Sequence, residues 1–254
     1  MIALTGNTET GKEISKLAAT TLKKVHLELG GKAPFIVFSD AEIDKAVQSS
    51  IQSAIINAGQ DCTAATRILI QDKISDQFIK LLKKKAQDII AGDPNHPKTS
   101  LQPLISAKHK EQVTNLVKSL QDKSKIIFQG KIPRQGFFYP LTIIKDVDES
   151  SSLYQKEIFG PVILISSFKT EEEAINKANS TQYGLSSSVW TSDIKRAMHL
   201  SQALNFGEVW INEHLPLVSE MPHGGTKSSG HSSDLSSKAI EEFTFLKHVY
   251  VNLQ

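Results

Sequence analysis

Hydrophobic and polar positions alternate along this chain in two rhythms. Short apolar runs bounded by turn residues read as buried strands: Ile2 to Thr5, Val25 to Leu29, Phe35 to Phe38, 67–70, Ile126 to Phe128, Phe138 to Ile144, Val162 to Phe168, Leu185 to Trp190 and Glu208 to Asn212. Between them lie stretches with one apolar face at helical spacing. The first predicted helix runs from about Glu9 to Leu22, with Ile14, Leu17 and Ala18 on one side. A capping box of Ser39 and Glu42 opens the next, whose stripe is Ile43, Val47, Ala54 and Ile55. Further helices are predicted from about Ile74 to Ile90, over 106–122, from the Thr170/Glu173 cap to Ala178, over Asp193 to Leu204 and over Asp234 to Phe243. His248 to Leu253 reads as a final strand. The alternation predicts an α/β sheet with crossover helices. Pro216 to Ser233, rich in Gly, Ser, His and Pro, reads as a long loop of the kind that carries function.

Composition changes this picture little. The chain has 254 residues, 39% of them hydrophobic and 22% charged, with a net charge of +2, as in an ordinary globular protein. The basic residues are dispersed, which argues against nucleic acid as a partner. No apolar run approaches the ~18 residues of a membrane span. The single cysteine excludes an internal disulfide and points to a reducing cytoplasm. The eight histidines show no metal-binding spacing, so no metal site is expected.

Chemistry concentrates at a few places. Cys62 sits in Asn57-Ala58-Gly59-Gln60-Asp61-Cys62-Thr63, a helix-to-strand turn that a substrate can approach, although a lone cysteine is more often a small buried hydrophobe. Glu28 ends an apolar strand before Gly30 and Gly31, where burial would raise its pKa into the range of a general base. Glu157 and Phe159 offer a hydrogen-bond acceptor and an aromatic wall in Glu157-Ile158-Phe159-Gly160-Pro161. Residues 6–12 fit seven positions of a phosphate-binding loop, but Glu13 stands where a hydroxyl would hold Mg²⁺. A glycine turn before a helix N-terminus still suits a phosphate. His223 lies in the special loop, in Pro222-His223-Gly224-Gly225.

Together these motifs resemble the aldehyde dehydrogenase superfamily. The likeness rests on Leu27-Glu28-Leu29-Gly30-Gly31-Lys32, the cysteine turn, Gln155 to Val162, Val209-Trp210-Ile211-Asn212 and Pro222 to Gly230, in the family's order and spacing. Asp61, Thr181 to Leu185 and Leu217 to His223 are similar to the aminoaldehyde branch, the 4-aminobutyraldehyde and betaine-aldehyde dehydrogenases. The resemblance implies Cys62 as nucleophile and Glu28 as the base that activates water. It places Gly6, Asn7, Leu29, Gly30, Glu157 and Phe159 at NAD or NADP, with NAD favoured, and Asp61, Asn212 and His223 at a small-molecule aldehyde.

The resemblance also implies an architecture. Residues 1–30 would be the last βαβ piece of a Rossmann-like cofactor domain, 31–228 an aldehyde dehydrogenase-type catalytic domain, and 229–254 a tail with an oligomerisation strand. It covers the C-terminal half of a family member, so the expected partner is a second copy or a chain carrying the other half. Two alternatives stay open at this point: a non-catalytic remnant or split-gene subunit, and a cofactor-independent thiol esterase using Cys62 and Glu28.

Overall fold

The computed structural model describes residues 1–120 and 125–254. The chain opens with strand β1 (Ile2–Thr5), helix α1 (Thr8–Ala19) and strand β2 (Val25–Glu28), a parallel βαβ unit. Asn7 caps α1, its side chain accepting the Thr10 N–H at 2.9 Å. Strand β3 (Ala33–Val37), helix α2 (Ile43–Ile55), strand β4 (Ala65–Gln71) and helix α3 (Ser75–Ala86) follow. Next come helix α4 (Ala107–Lys118), strands β5 (Lys125–Gln129) and β6 (Thr142–Lys145), helix α5 (Ser152–Gln155) and strand β7 (Val162–Phe168). Helix α6 (Glu171–Asn179), strands β8 (Tyr183–Gly184) and β9 (Ser186–Trp190), helix α7 (Ile194–Ala203) and strand β10 (Glu208–Ile211) complete the alternation. The tail holds strands β11 (Thr226–Lys227) and β12 (Gly230–His231) and helix α8 (Ser236–Phe243).

The main sheet runs β10-β9-β3-β4-β7-β6-β5 and is parallel except at β5. Its central strands are covered on both faces, which is why β3 and β4 read as continuous apolar runs rather than alternating ones. Phe35, Val37, Ile68 and Ile70 face Val47 and Ile51 of α2 and Phe78 and Leu82 of α3. Ile36, Leu69 and Val189 face the other way, with Ala174 and Ala178 of α6 and Leu200 of α7. A separate small sheet has the order β1-β2-β12, with β12 antiparallel to β2. It brings the tail back onto Glu28: Gly230 pairs with Glu28, and at its φ of +118° a Cβ would lie 1.9 Å from the Leu27 carbonyl oxygen. Glycine is required there.

Several boundaries differ from the sequence reading. The capping box does not form: Glu42 precedes α2 without a side-chain bond, and the Ser39 N–H donates to Gln71 Oε1 at 2.8 Å. The link from β3 to α2 is thus tied to β4 rather than folded over the helix. Helix α3 stops at Ala86, and α4 at Lys118, while positions 121 and 122 of its expected span lie outside the described residues. Phe138 and Tyr139 are buried, yet pairing begins only at Thr142. From Thr244 onward there is no regular structure, and Val249, Tyr250, Val251 and Leu253 are exposed. A strand needs a partner for its N–H and C=O groups, and His248 to Leu253 has none among the described residues. No helix among them is long and apolar enough to cross a membrane.

Candidate active site

The cysteine turn is shaped by three consecutive left-handed residues after α2: Asn57 (φ 48°), Ala58 (φ 58°) and Gly59 (φ 73°). They reverse the chain so that it re-enters the sheet at β4. The reversal is pinned locally, with the Asn57 side-chain amide donating to the Gln60 carbonyl at 2.9 Å. Asp61 Oδ1 accepts the Thr63 N–H at 2.7 Å and the Thr63 hydroxyl at 2.6 Å, so this carboxylate first of all shapes the turn around the half-buried Cys62. Gly31 packs beneath it, and a Cβ there would lie 2.0 Å from the Cys62 carbonyl oxygen. Only glycine lets the two segments approach so closely.

A buried histidine holds the turn from the other side. His214, 3% exposed, lies 2.8 Å from the Thr63 carbonyl through Nε2 and 2.9 Å from Ser188 Oγ through Nδ1. A carbonyl only accepts, so Nε2 carries the proton and Nδ1 accepts from the serine hydroxyl. Burial pushes its pKa down to about 4, against a smaller upward pull from the Thr63 hydrogen bond. The unfolded chain therefore takes up a proton on this residue before the folded chain does, below the ordinary histidine range near 6.5. Stability is expected to fall from pH 6.5 to pH 4 by about 3 kcal/mol, at 1.36 kcal/mol per unit. Denaturant melts of the protein and of His214→Gln across that interval check this, since the variant's curve should be flatter.

Glu28 and His223 meet beside Cys62. Glu28 is 5% exposed, and neither of its carboxylate oxygens has a hydrogen-bond partner among the described residues. Burial raises its pKa to about 7, opposed by His223 and reinforced by Asp234 and Glu208. His223 Nε2 is 3.8 Å from Glu28 Oε2, and its Nδ1 is 2.8 Å from Glu208 Oε1. A hydrogen bond with Cys62, followed by the one with Glu208, holds the His223 pKa up at about 10. The raised pKa favours the imidazolium at neutral pH, with Nδ1 held by Glu208 Oε1 and Nε2 facing Glu28.

The opposite wall comes from α4 and the segment after α5. Glu157 Oε1 accepts the Gly31 N–H at 2.9 Å, and burial raises its pKa. A Cβ on Gly30 would clash with the Glu157 carboxylate, so only glycine lets that carboxylate pack against the backbone here. Phe159 adopts φ 54°, and its carbonyl accepts from His109 Nε2 at 2.6 Å. These surfaces enclose a cleft of about 1080 Å³.

Cys62, Glu28, Gly6, Asn7, Leu29, Gly30, Glu157, Phe159 and Asp61 all line that cleft. His223 reaches the site through Glu28 and Cys62. Asn212 does not line it: its side chain bonds the backbone N–H and C=O of Thr191, both at 2.9 Å, and fixes the end of β10. The phosphate-loop likeness also dissolves, because Lys12 pairs with Glu9 at 2.8 Å and Lys16 with Glu13 at 2.7 Å on the exposed face of α1. Sequence reasoning missed Glu208, His214 and His109. An acid opening an apolar strand could have flagged Glu208; nothing local marks His214, whose partner is 151 residues away.

The chain has counterparts among known proteins. Residues 1–249 match the model of the aldehyde dehydrogenase family. The chain is 41% identical to a betaine aldehyde dehydrogenase of Bacillus subtilis, over 99% of this chain and 53% of that protein. It is 38% identical to an NADP/NAD-dependent aldehyde dehydrogenase of Escherichia coli, over 100% of this chain and 52% of that one. Among solved structures, betaine aldehyde dehydrogenase from Staphylococcus aureus in complex with NAD⁺ superposes with a TM-score of 0.92 at 36% identity, covering 95% of this chain and 49% of that chain. An NAD-dependent aldehyde dehydrogenase from Sinorhizobium meliloti gives 0.96 at 34% identity, covering 99% and 51%. The chain spans about half the length of the curated relatives it matches. The match over residues 1–249 and the 41% identity across 99% of the chain make this chain a member of the aldehyde dehydrogenase family.

Proposed function

We propose that this chain is the catalytic half of an aldehyde dehydrogenase, oxidising an aldehyde to its carboxylic acid with NAD(P)⁺ through a thioester on Cys62. The observation that carries the reading is the convergence of Cys62 and Glu28 in one cleft, with the Glu28 carboxyl buried, unbonded and raised to about 7. Cys62 Sγ adds to the aldehyde carbon, and the developing oxyanion is stabilised by the Cys62 backbone N–H and by the His223 imidazolium. Glu28 takes a proton from the water that attacks the thioester carbon; a C–O bond forms, the C–S bond breaks, and the sulfur leaves.

The residues present fit the cofactor's reactive end. Gly6 and Asn7 at the N-terminus of α1 suit a pyrophosphate. The absence of a Cβ at Gly30 lets the Glu157 carboxylate pack against the backbone at the cleft wall, where with Phe159 it would hold the ribose and ring. When bound, the dinucleotide supplies the hydride acceptor that turns the Cys62 adduct into a thioester. NAD is favoured, in keeping with the NAD⁺ of the S. aureus relative. The chain would work as an oligomer or with a polypeptide supplying the family's other half.

Within this class we infer an aminoaldehyde substrate. Asp61 lines the cleft beside the nucleophile, with one carboxylate oxygen engaged by Thr63, and a betaine aldehyde dehydrogenase is among the relatives. A second reading, cofactor-independent ester hydrolysis, is favoured by the Glu208–His223 pair held against Cys62. The test is NADH formation by the chain co-expressed with the N-terminal half of a family member, on an ammonium-bearing and an uncharged aldehyde. Asp61→Ala is expected to lower the kcat/KM ratio between the two about tenfold, ~1.4 kcal/mol. An unchanged ratio removes the aminoaldehyde reading. Turnover of an activated ester with no NADH from any aldehyde leaves only the second reading.

A further inference from the structure

Two side chains beside Glu28 have no part in that mechanism. His26 and Glu28 are two residues apart on β2, so both project from the same face of the strand. Asp234 is brought to them by the tail: β12 pairs with β2, and the Asp234 backbone is then clamped to His223 by N–H to O=C bonds of 2.7 and 2.9 Å. His26 Nε2 stands 2.9 Å from Asp234 Oδ1, and the ligand atoms of His26, Glu28 and Asp234 all lie within 4.8 Å of one another.

Ordinary hydrogen bonding does not use up this cluster. Both Glu28 oxygens and His26 Nδ1 are buried and lack a hydrogen-bond partner among the described residues. The exposures of His26 and Glu28 are 3% and 5%, whereas the Asp234 side chain is 44% exposed and offers an entry path. Phe243 of α8 packs on the His26 ring, centroids 5.2 Å apart, and limits its rotation. One imidazole and two carboxylates form a mixed N/O donor set, and the carboxylates when ionised balance a divalent charge. Adjacent donors on one zinc ion, each about 2.0–2.2 Å from the metal, lie about 3 Å apart, close to the spacing of His26 and Asp234.

We propose that His26, Glu28 and Asp234 form a site for a divalent transition-metal ion, and that an ion there withdraws Glu28 from thioester hydrolysis. The metal site stands on its own geometry; the inhibition rests on the function proposed above. The ion would need neither the nicotinamide cofactor nor Cys62. It would act as a reversible brake on acyl release, leaving acyl transfer to the sulfur untouched.

The test is calorimetric titration of Zn²⁺ into the chelator-treated, full chain. One ion per chain is expected, with unchanged affinity in Cys62→Ser. Affinity should fall at least about tenfold in both His26→Ala and Asp234→Ala, the range seen when the support of a metal site is lost. His26 is buried, so circular dichroism must show that its variant folds; Asp234→Ala changes an accessible side chain and carries the test if it does not. Absence of binding by the unaltered chain, or binding lost in Cys62→Ser and kept in Asp234→Ala, overturns the site. In a second arm Cys62 is acylated with an activated ester, and zinc is expected to slow acyl release in the unaltered chain but not in Asp234→Ala. Bound zinc with an unaltered release rate overturns the inhibition.

Discussion

Serine in place of Cys62 is expected to end acyl transfer by this chain, with a loss of about 10⁴–10⁶ in rate. A serine hydroxyl lacks the nucleophilicity of a thiolate and would need a base to take its proton. The measurement is intact mass after exposure to p-nitrophenyl acetate: one acetyl adduct on the unaltered chain and none on Cys62→Ser. Glu28→Gln separates the two halves of the chemistry. It keeps the nucleophile and removes the base, so the adduct should form at the normal rate and decay about 10²–10⁴ times more slowly. An adduct that decays normally in Glu28→Gln would remove Glu28 from the mechanism, while Cys62 could stand.

Arg67→Ala is expected to have the largest effect on stability. Arg67 sits on β4 with no exposure, yet it carries a full charge. Its Nε donates to the Lys32 carbonyl at 2.9 Å, Nη1 to the Lys177 carbonyl at 2.8 Å and to the Tyr154 hydroxyl at 3.2 Å, and Nη2 to the Ala178 carbonyl at 2.8 Å. It therefore ties β3, α5 and the end of α6 to the centre of the sheet. Truncation would strip the guanidinium donor from the Lys32 and Ala178 carbonyls, each costing roughly 1–3 kcal/mol, and open a cavity besides, while the Lys177 carbonyl keeps the Ser180 hydroxyl at 2.8 Å. A total of about 5 kcal/mol is a large share of a typical domain's stability and corresponds to a fall in Tm of roughly 10–20 °C. Arg67→Met fills much of the volume but leaves the same carbonyls unpaired. It should recover only part of the loss in a thermal melt. Full recovery would mean that the guanidinium contributes packing alone.

Arg67 also feeds the active site. Lys32, whose carbonyl it binds, follows Gly31, which underlies Cys62, and the Lys32 Nζ donates to the Leu153 carbonyl at 2.8 Å. Two buried basic side chains thereby fix the Gly30-Gly31-Lys32 segment between nucleophile and general base without contacting either. Cys62 alkylation in folded Arg67→Met would report any displacement transmitted along this path.

The sequence carried the alternating strands and helices because covered parallel strands must be apolar throughout and crossover helices must show an apolar face. It marked Gly30 and Gly31 through an unusual pair of glycines at a strand end, and the structure gives each a backbone or carboxylate neighbour that no Cβ could share. It failed where an element needs a partner chosen elsewhere in the chain. Ser39 abandoned its expected cap for Gln71, and His248 to Leu253 has strand composition but joins no strand among the described residues.

For the site the division follows the same line. Local chemistry in the sequence marked Cys62, Glu28 and Glu157 only as candidates, since each taken alone suits an ordinary turn or strand end, and it was the order and spacing of the motifs together that gave them their expected roles. Tertiary structure alone decided their states. The pKa of Glu28 is raised because the tail returns over β2 and excludes water, and that of His223 is raised because the fold sets Cys62 and then Glu208 against it. His214 and Asp234 gain their roles only through partners more than 150 residues away, His214 at Thr63 and Asp234 at His26. Desolvation and ion pairing are properties of assembled surroundings, and no window of sequence contains them.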